Sequence, residues 1–392
     1  MMAVLENCRV IDVARGLIQE TVVTIEKEKI VGFGDSEDRE DVFDLEGAYL
    51  LPGLVNGHVH LGDVFPFSEV DPNEGKAVHV LRCLKRGIDA LQAGITTVRT
   101  EGTRYGVDVD LRAMIRKGWA EGPRILAARE ALRVTGGQGD DVGAVSADGA
   151  QEFQKRAREQ LSAGADHLKI FITGGLSVRE GDLDQLQMTD EEMVAVVTVA
   201  RSKNTYVSAH SASGKAIFQA ARAGVRSFEH GYYLNRETAR AIRESGGYYC
   251  PTLCVTHCQD WMKMNRFEPW AMEKARDAAS SHMESVRIAI QEGVRVVAGT
   301  DLPPGDTDEA GNVTVRELEF LVEAGLSPLE AIQASLVNGP TLMGIEGQVG
   351  TVQPGYQADL IAVRENPLED IRALREIFFV MQSGKVIRWD RP

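Results

Sequence analysis

From about residue 50 to residue 340 the chain repeats one local unit: a short apolar run, then a longer stretch whose apolar residues recur at helical spacing. This alternation restricts the fold more than any other feature. Strands that are regularly followed by helices pair in parallel with their successors. The candidate strands are Tyr49–Leu54, Ile95–Thr100, Arg124–Ala128, His167–Ile172, Tyr206–His210, Ser227–His230, Gly247–Leu253 and Val294–Gly299. Helical stretches fall between most of them, among them Ala77–Ala93, Asp190–Lys203 and Pro269–Glu292. Thr189-Asp-Glu-Glu192 reads as a helix start, an N-cap threonine followed by acids. Eight strands that each feed a helix point to a (β/α)8 TIM barrel. A doubly wound sheet would produce the same local alternation.

The flanks have a different period. Arg9–Val13, Thr21–Ile25 and Lys29–Phe33 read as short strands, and Gly350–Val363 and Phe378–Ile387 read as hairpin material. Neither end holds enough residues for a core of its own. The expectation is therefore an α/β chain of two parts. One is a small β-sandwich domain built from residues 1–50 and 345–392 together, and the other is the barrel over 51–344.

Composition enters by what it excludes. A net charge of −15 argues against nucleic-acid and anionic-membrane partners. No apolar run reaches the length needed to span a bilayer. The first residues have Glu6 and Arg9 inside an alternating pattern, unlike a signal peptide, so the cytoplasm is the expected location. Five cysteines fit a reducing compartment. Cys250, Cys254 and Cys258 are spaced four and four, unlike the closer pairs of structural zinc sites, and read as small buried or loop residues.

The chemistry gathers at the ends of the candidate strands. The first runs on into His58-Val-His60, two imidazoles that a strand would project to the same side. The fifth ends at His210, the sixth at His230 and the eighth at Asp301. Four of the eight histidines lie at these ends, where barrel active sites are built. Neutral imidazoles and a carboxylate are ligands for zinc and its neighbours. Lys169 lies inside the apolar run Leu168-Lys-Ile-Phe-Ile172. It could snorkel out, pair with a carboxylate, act as a desolvated amine nucleophile, or carry a CO2-derived carbamate that bridges two metals.

The order H-x-H, Lys, His, His, Asp on successive strands resembles the amidohydrolase superfamily in its two-metal form, over essentially the whole chain. Pro52-Gly-Leu-Val-Asn-Gly-His-Val-His60, Phe228-Glu-His-Gly231 and Ala298-Gly-Thr-Asp301 are similar to the branch around imidazolonepropionase. Lys169-Ile-Phe-Ile-Thr-Gly-Gly175 resembles dipeptidases acting on Xaa-Pro and on Xaa-Arg or Xaa-Lys substrates. The resemblance implies two divalent ions, zinc by preference. His58, His60 and Asp301 would hold the more buried one and His210 and His230 the more exposed one, with carboxylated Lys169 between them. Imidazolonepropionase and the deaminases use one metal and lack this lysine, so Lys169 favours a two-metal hydrolase.

A water acidified between two cations would attack an amide carbonyl, and Asp301 would carry its proton to the leaving amine. The expected substrate is a small molecule, a dipeptide or an N-acyl amino acid. A lactonase or phosphotriesterase is the alternative on the same site, and a deaminase or a non-catalytic relative is less favoured. Tyr232 matches a tyrosine that meets the substrate carboxylate or carbonyl in related dipeptidases. Gln138 stands where they carry a histidine and could donate a hydrogen bond but not a proton. Thr100-Glu-Gly102 departs from their Asp-x-Gly, and this loop is expected to shape a different pocket. Self-association into a homo-oligomer is also implied.

Overall fold

The computed structural model describes residues 2–34, 41–180 and 182–390. Residues 1, 35–40, 391 and 392 of the expected terminal domain lie outside the described residues. Eight parallel strands follow one another in the order of the chain: Leu54–Val59, Ile95–Thr100, Arg124–Ala127, Leu168–Phe171, Val207–Ser213, Ser227–Tyr233, Tyr248–Cys250 and Arg295–Val296. They close into a barrel. The Asp166 N–H donates to the Ala127 carbonyl at 2.7 Å between the third and fourth strands. The Gly57 N–H donates to Ala298 at 2.8 Å and the Asp301 N–H to His58 at 2.9 Å between the first and the eighth. At that seam a Cβ on Gly299 would lie 2.7 Å from the His58 nitrogen, so only glycine lets the two strands meet.

Each strand feeds a helix. The longest are Lys76–Gln92 after the first strand, Asp190–Ser202 after the fourth and Pro269–Gln291 after the seventh. Thr189 caps its helix through a capping box with Glu192. The main core lies between barrel and helices, where residues such as Val98, Ile170, Ala209, Val196, Ile217 and Leu318 are buried. Among the described residues no helix is long and apolar enough to cross a membrane.

Both chain ends meet in one seven-stranded sheet, which brings Met2–Asp12, Leu17–Glu26, Lys29–Phe33 and Asp41–Pro52 together with Leu360–Val363, Phe379–Gln382 and Lys385–Trp389. The sheet closes over its own apolar core: Phe43 stands 6.2 Å from Phe379 and 5.2 Å from Trp389, ring to ring.

Two details differ from the sequence reading. Tyr49–Pro52 is not the start of the barrel. It pairs with Val363 to Leu360 in the terminal sheet, and the first barrel strand begins at Leu54, after Pro52-Gly53 breaks the run. Leu360–Val363 pairs with Asp41–Pro52 and Phe379–Gln382 rather than folding back on the segment from Gly350.

Candidate metal centre

At the C-terminal end of the barrel the strand-end residues converge. His58 Nε2 lies 3.0 Å and His60 Nε2 3.2 Å from the same oxygen, Asp301 Oδ1. The His230 ring centroid is 5.0 Å from that of His58 and 4.6 Å from that of His210. Lys169 lines the same cavity as His60, His210, His230 and Asp301. All are buried except Asp301, whose side chain is partly open to the cavity.

One nitrogen of each imidazole is held by the protein. His58 Nδ1 donates to Glu229 Oε2 at 2.7 Å, His60 Nδ1 to the Gly102 carbonyl at 3.1 Å, and His210 Nε2 to the Gly174 carbonyl at 3.0 Å. His230 Nδ1 pairs with Thr252 Oγ1 at 2.8 Å. Such partners fix the tautomer and orient a ring for a metal. With Nδ1–H given to Glu229, the Nε2 of a neutral His58 is a lone pair aimed at a carboxylate, and it has no hydrogen-bond partner. Acceptors that face one another in this way suit a cation placed between them. His58, His60 and Asp301 bring their ligand atoms within 4.8 Å of one another. The donor set therefore fits a divalent metal.

Backbone strain marks the same place. His230, Thr252 and Asp301 have φ of 70°, 55° and 57°, a region that costs a non-glycine residue roughly 1–3 kcal/mol. These turns aim a strand-end side chain across the barrel mouth instead of along the strand.

The cavity shifts the ionisation of its lining. Burial lowers His210 to about 3 and, more strongly, His230, so both stay neutral. Burial works against a charged His60, but Asp63 and Asp301 outweigh it and raise the ring to about 9. Burial likewise opposes a charged Asp301, yet His58 and His230 hold its carboxyl well below the usual range. Burial, then the nearby Asp141 and Asp301, push Asp63 up to about 7 against His60 and Arg86. Burial and Asp301 raise the Tyr232 phenol well above its ordinary value, so it keeps its proton. Tyr232 stacks on His230 with centroids 5.7 Å apart, and Gln138 lines the cavity with its amide donated to Ser177 Oγ at 2.6 Å.

Beneath the site lies a buried charged layer that the sequence reading missed. Arg99 Nη2 donates to both oxygens of Glu229 at 3.0 Å, which ties the guanidinium to the carboxylate that holds His58. Glu101 is fully buried here, away from the cavity lining. The loop change was expected to shape the pocket. Instead Glu101 turns inward to His167 Nε2 at 3.0 Å, Ser208 Oγ at 2.5 Å and Arg99 Nε at 3.1 Å. Lys169 Nζ is 3.2 Å from Glu101 Oε2 but has no hydrogen-bond partner, and it lies 5.5 Å from the Phe171 ring centroid. The available signal was an arginine or glutamate inside a segment read as a strand, Thr96-Thr-Val-Arg-Thr100 and Ser227-Phe-Glu229. Cys250, Cys254 and Cys258 are all buried and free.

Known proteins share this fold. The ochratoxinase of Aspergillus niger is 32% identical over 378 residues, covering 86% of this chain and 75% of that protein. A solved Xaa-Pro dipeptidase, with methionine bound in its active site, superposes with a TM-score of 0.89 at 28% identity, covering 99% of this chain and 100% of the other. The imidazolonepropionase of Sphingopyxis alaskensis is more distant, 22% identical over 380 residues, 88% of this chain and 86% of that one. The model of the amidohydrolase family matches residues 49–388, from the last strand of the N-terminal segment through the whole barrel to the returning sheet, and the chain belongs to that family.

Proposed function

We propose that the protein is a two-metal hydrolase of a small-molecule amide, either a dipeptide of the Xaa-Pro, Xaa-Arg or Xaa-Lys type or an N-acyl amino acid. One observation carries the reading: His58 and His60 turn ring nitrogens onto the same Asp301 oxygen, at 3.0 and 3.2 Å, and the buried His58 Nε2 has no hydrogen-bond partner. His58, His60 and Asp301 would hold one ion and His210 and His230 the second. The likeness to a dipeptidase supports cleavage of an amide.

Lys169, carboxylated by CO2, would bridge the pair. Its environment supports this, because Lys169 is not the sole group that keeps Glu101 ionised: Arg99 acts on it more strongly and His167 as well. Arg99, His167 and Ser208 already engage that carboxylate. Two zinc ions, when bound, would supply Lewis acidity to a water and to the substrate carbonyl.

The chain's own groups do the rest. Asp301 Oδ2, the oxygen not engaged by His58 and His60, accepts the proton of the attacking water and passes it to the leaving nitrogen. Tyr232, held protonated, donates to the carbonyl oxygen as charge develops there. Gln138 orients the substrate by hydrogen bonding and cannot serve as an acid.

Elemental analysis after growth with zinc should find about two ions per chain. A protein that binds none would overturn the two-metal reading. The carbamate should give a resonance in 13C spectra after 13CO2 labelling that Lys169→Ala lacks. Turnover of a dipeptide and N-acyl amino acid library is the direct assay, and turnover of lactones or phosphotriesters alone would replace the amide assignment. We further propose that the protein works as a homo-oligomer in the cytoplasm.

A further inference from the structure

The cavity above the strand ends has a lining that the amide reading leaves unexplained. Part of its apolar side is aromatic. Phe65 and Phe67, from the loop after the first strand, meet Phe267, from the loop after the seventh, with centroids 4.9 and 5.2 Å apart. Its polar residues beyond the candidate ligands and Tyr232 are Asp63, Gln138, Asp141 and Ser177. Among the described residues, the side-chain carboxylates of Asp63 and Asp141 make no hydrogen bond and no salt bridge. Gln138 is only 5% exposed, and its Oε1 is buried with no partner while Nε2 is occupied by Ser177. A buried acceptor left unmatched costs about 1–3 kcal/mol, so it calls for a donor from a ligand.

Cations are absent from this lining apart from Lys169 and the ring nitrogens. Arg86, which with His60 acts on Asp63, and Lys274 also bind backbone. Arg86 donates to the carbonyls of Leu61 and Asp63, and Lys274 to those of Gly175 and Val178. A substrate carboxylate placed away from the metal ligands would meet Asp63 and Asp141, with Arg86 already facing Asp63. A substrate ammonium would meet two carboxylates and a free amide oxygen.

We propose that the cavity selects an amide bearing a free ammonium and an aromatic or bulky apolar group, and no carboxylate. Asp63, Asp141 and Gln138 Oε1 hold the ammonium, and Phe65, Phe67 and Phe267 hold the apolar group. The matching class is an aminoacyl arylamide. This rests on the metal-dependent amide cleavage proposed above and goes beyond its substrate classes, since an aminoacyl arylamide is neither a dipeptide nor an N-acyl amino acid. In the reaction the C–N bond breaks, a C–O bond forms from water, and one water proton ends on the departing arylamine.

The test uses the zinc-loaded full chain and three matched amides: L-leucine 4-nitroanilide, its N-acetyl form, and L-leucyl-4-aminobenzoate. The first should exceed each of the others at least about tenfold in kcat/KM, the scale of one charge-assisted contact. Equal or faster cleavage of the acetylated or the carboxylated compound overturns the proposal. Calorimetry supplies a readout free of catalysis. 2-Phenylethylamine should bind at least about tenfold tighter than 2-phenylethanol, and Asp63→Asn and Asp141→Asn should each shrink that ratio. An alcohol bound as tightly as the amine overturns the proposal on wild-type protein alone. Preferential amine binding with no amide cleaved keeps the ammonium site and sinks the hydrolase reading. Cleavage of all three amides at similar rates does the opposite.

Discussion

The terminal sheet and the barrel interior bury similar strands for opposite purposes. Inside the sheet Leu5, Val10, Ile25, Leu50, Leu360, Phe379 and Met381 meet one another, an apolar core that gains stability from every contact. Inside the barrel, strands of equal burial carry Arg99, Glu101, His167, Lys169 and Glu229. Removing one partner from such a layer costs several kcal/mol, because the other charge stays buried and unpaired. The barrel can hold this layer because its apolar residues face the surrounding helices, which supply the stabilising burial on the outside. The sheet teaches what a strand does when only packing matters. The barrel shows strands whose inner faces carry charge and whose ends bring four imidazoles and a carboxylate close together.

This contrast can be broken experimentally, beginning with its largest effect. Asp301→Asn should lower kcat by about 10³-fold or more and release metal, measured by steady-state kinetics and elemental analysis, with circular dichroism unchanged. Phe379→Ala in the sheet should cost about 3–5 kcal/mol in urea unfolding while the folded fraction keeps its metal content. Glu229→Gln should weaken metal binding about 10–100-fold in a competition titration, since His58 loses its orienting carboxylate. A variant that binds metal as wild type would mean the charged layer does not support the site.

The smallest effect concerns Glu317, on the helix Val313–Ala324, which accepts the N–H groups of Leu253 and Cys254 at 2.9 Å each. Burial pushes its carboxyl up to about 7 from 4.5, against those two bonds. The folded state therefore takes up a proton between these values. The resulting stability is complete below about 4.5 and is lost as pH rises through 7. Wild type should show a decline in Tm between pH 5 and 8 that exceeds the decline in Glu317→Gln.

Much of this was legible in the chain. The helices Asp190–Ser202 and Pro269–Gln291 fall within a residue of their expected ends, since capping and apolar spacing act locally. The strand-end histidines and Asp301 were legible because alternation puts chemistry at predictable places. The start of the barrel was not. The run from Tyr49 to Leu54 is continuously apolar, and only its partners divide it between sheet and barrel. Glu101 was misjudged for a related reason: whether a strand-end acid faces the cavity or the interior depends on neighbours far away in sequence, such as His167 and Ser208.

The sequence by itself determined the repeating strand and helix units, the return of β structure at both ends, and the residue types able to bind metal, because period and side-chain chemistry are properties of short segments. The tertiary structure alone decided which nitrogen of each histidine is held by the protein, that Glu229 and Arg99 stand behind His58, and that two aspartates share a cavity with four phenylalanines. Those facts depend on barrel closure, which brings residues 58, 229 and 301 to within contact of one another.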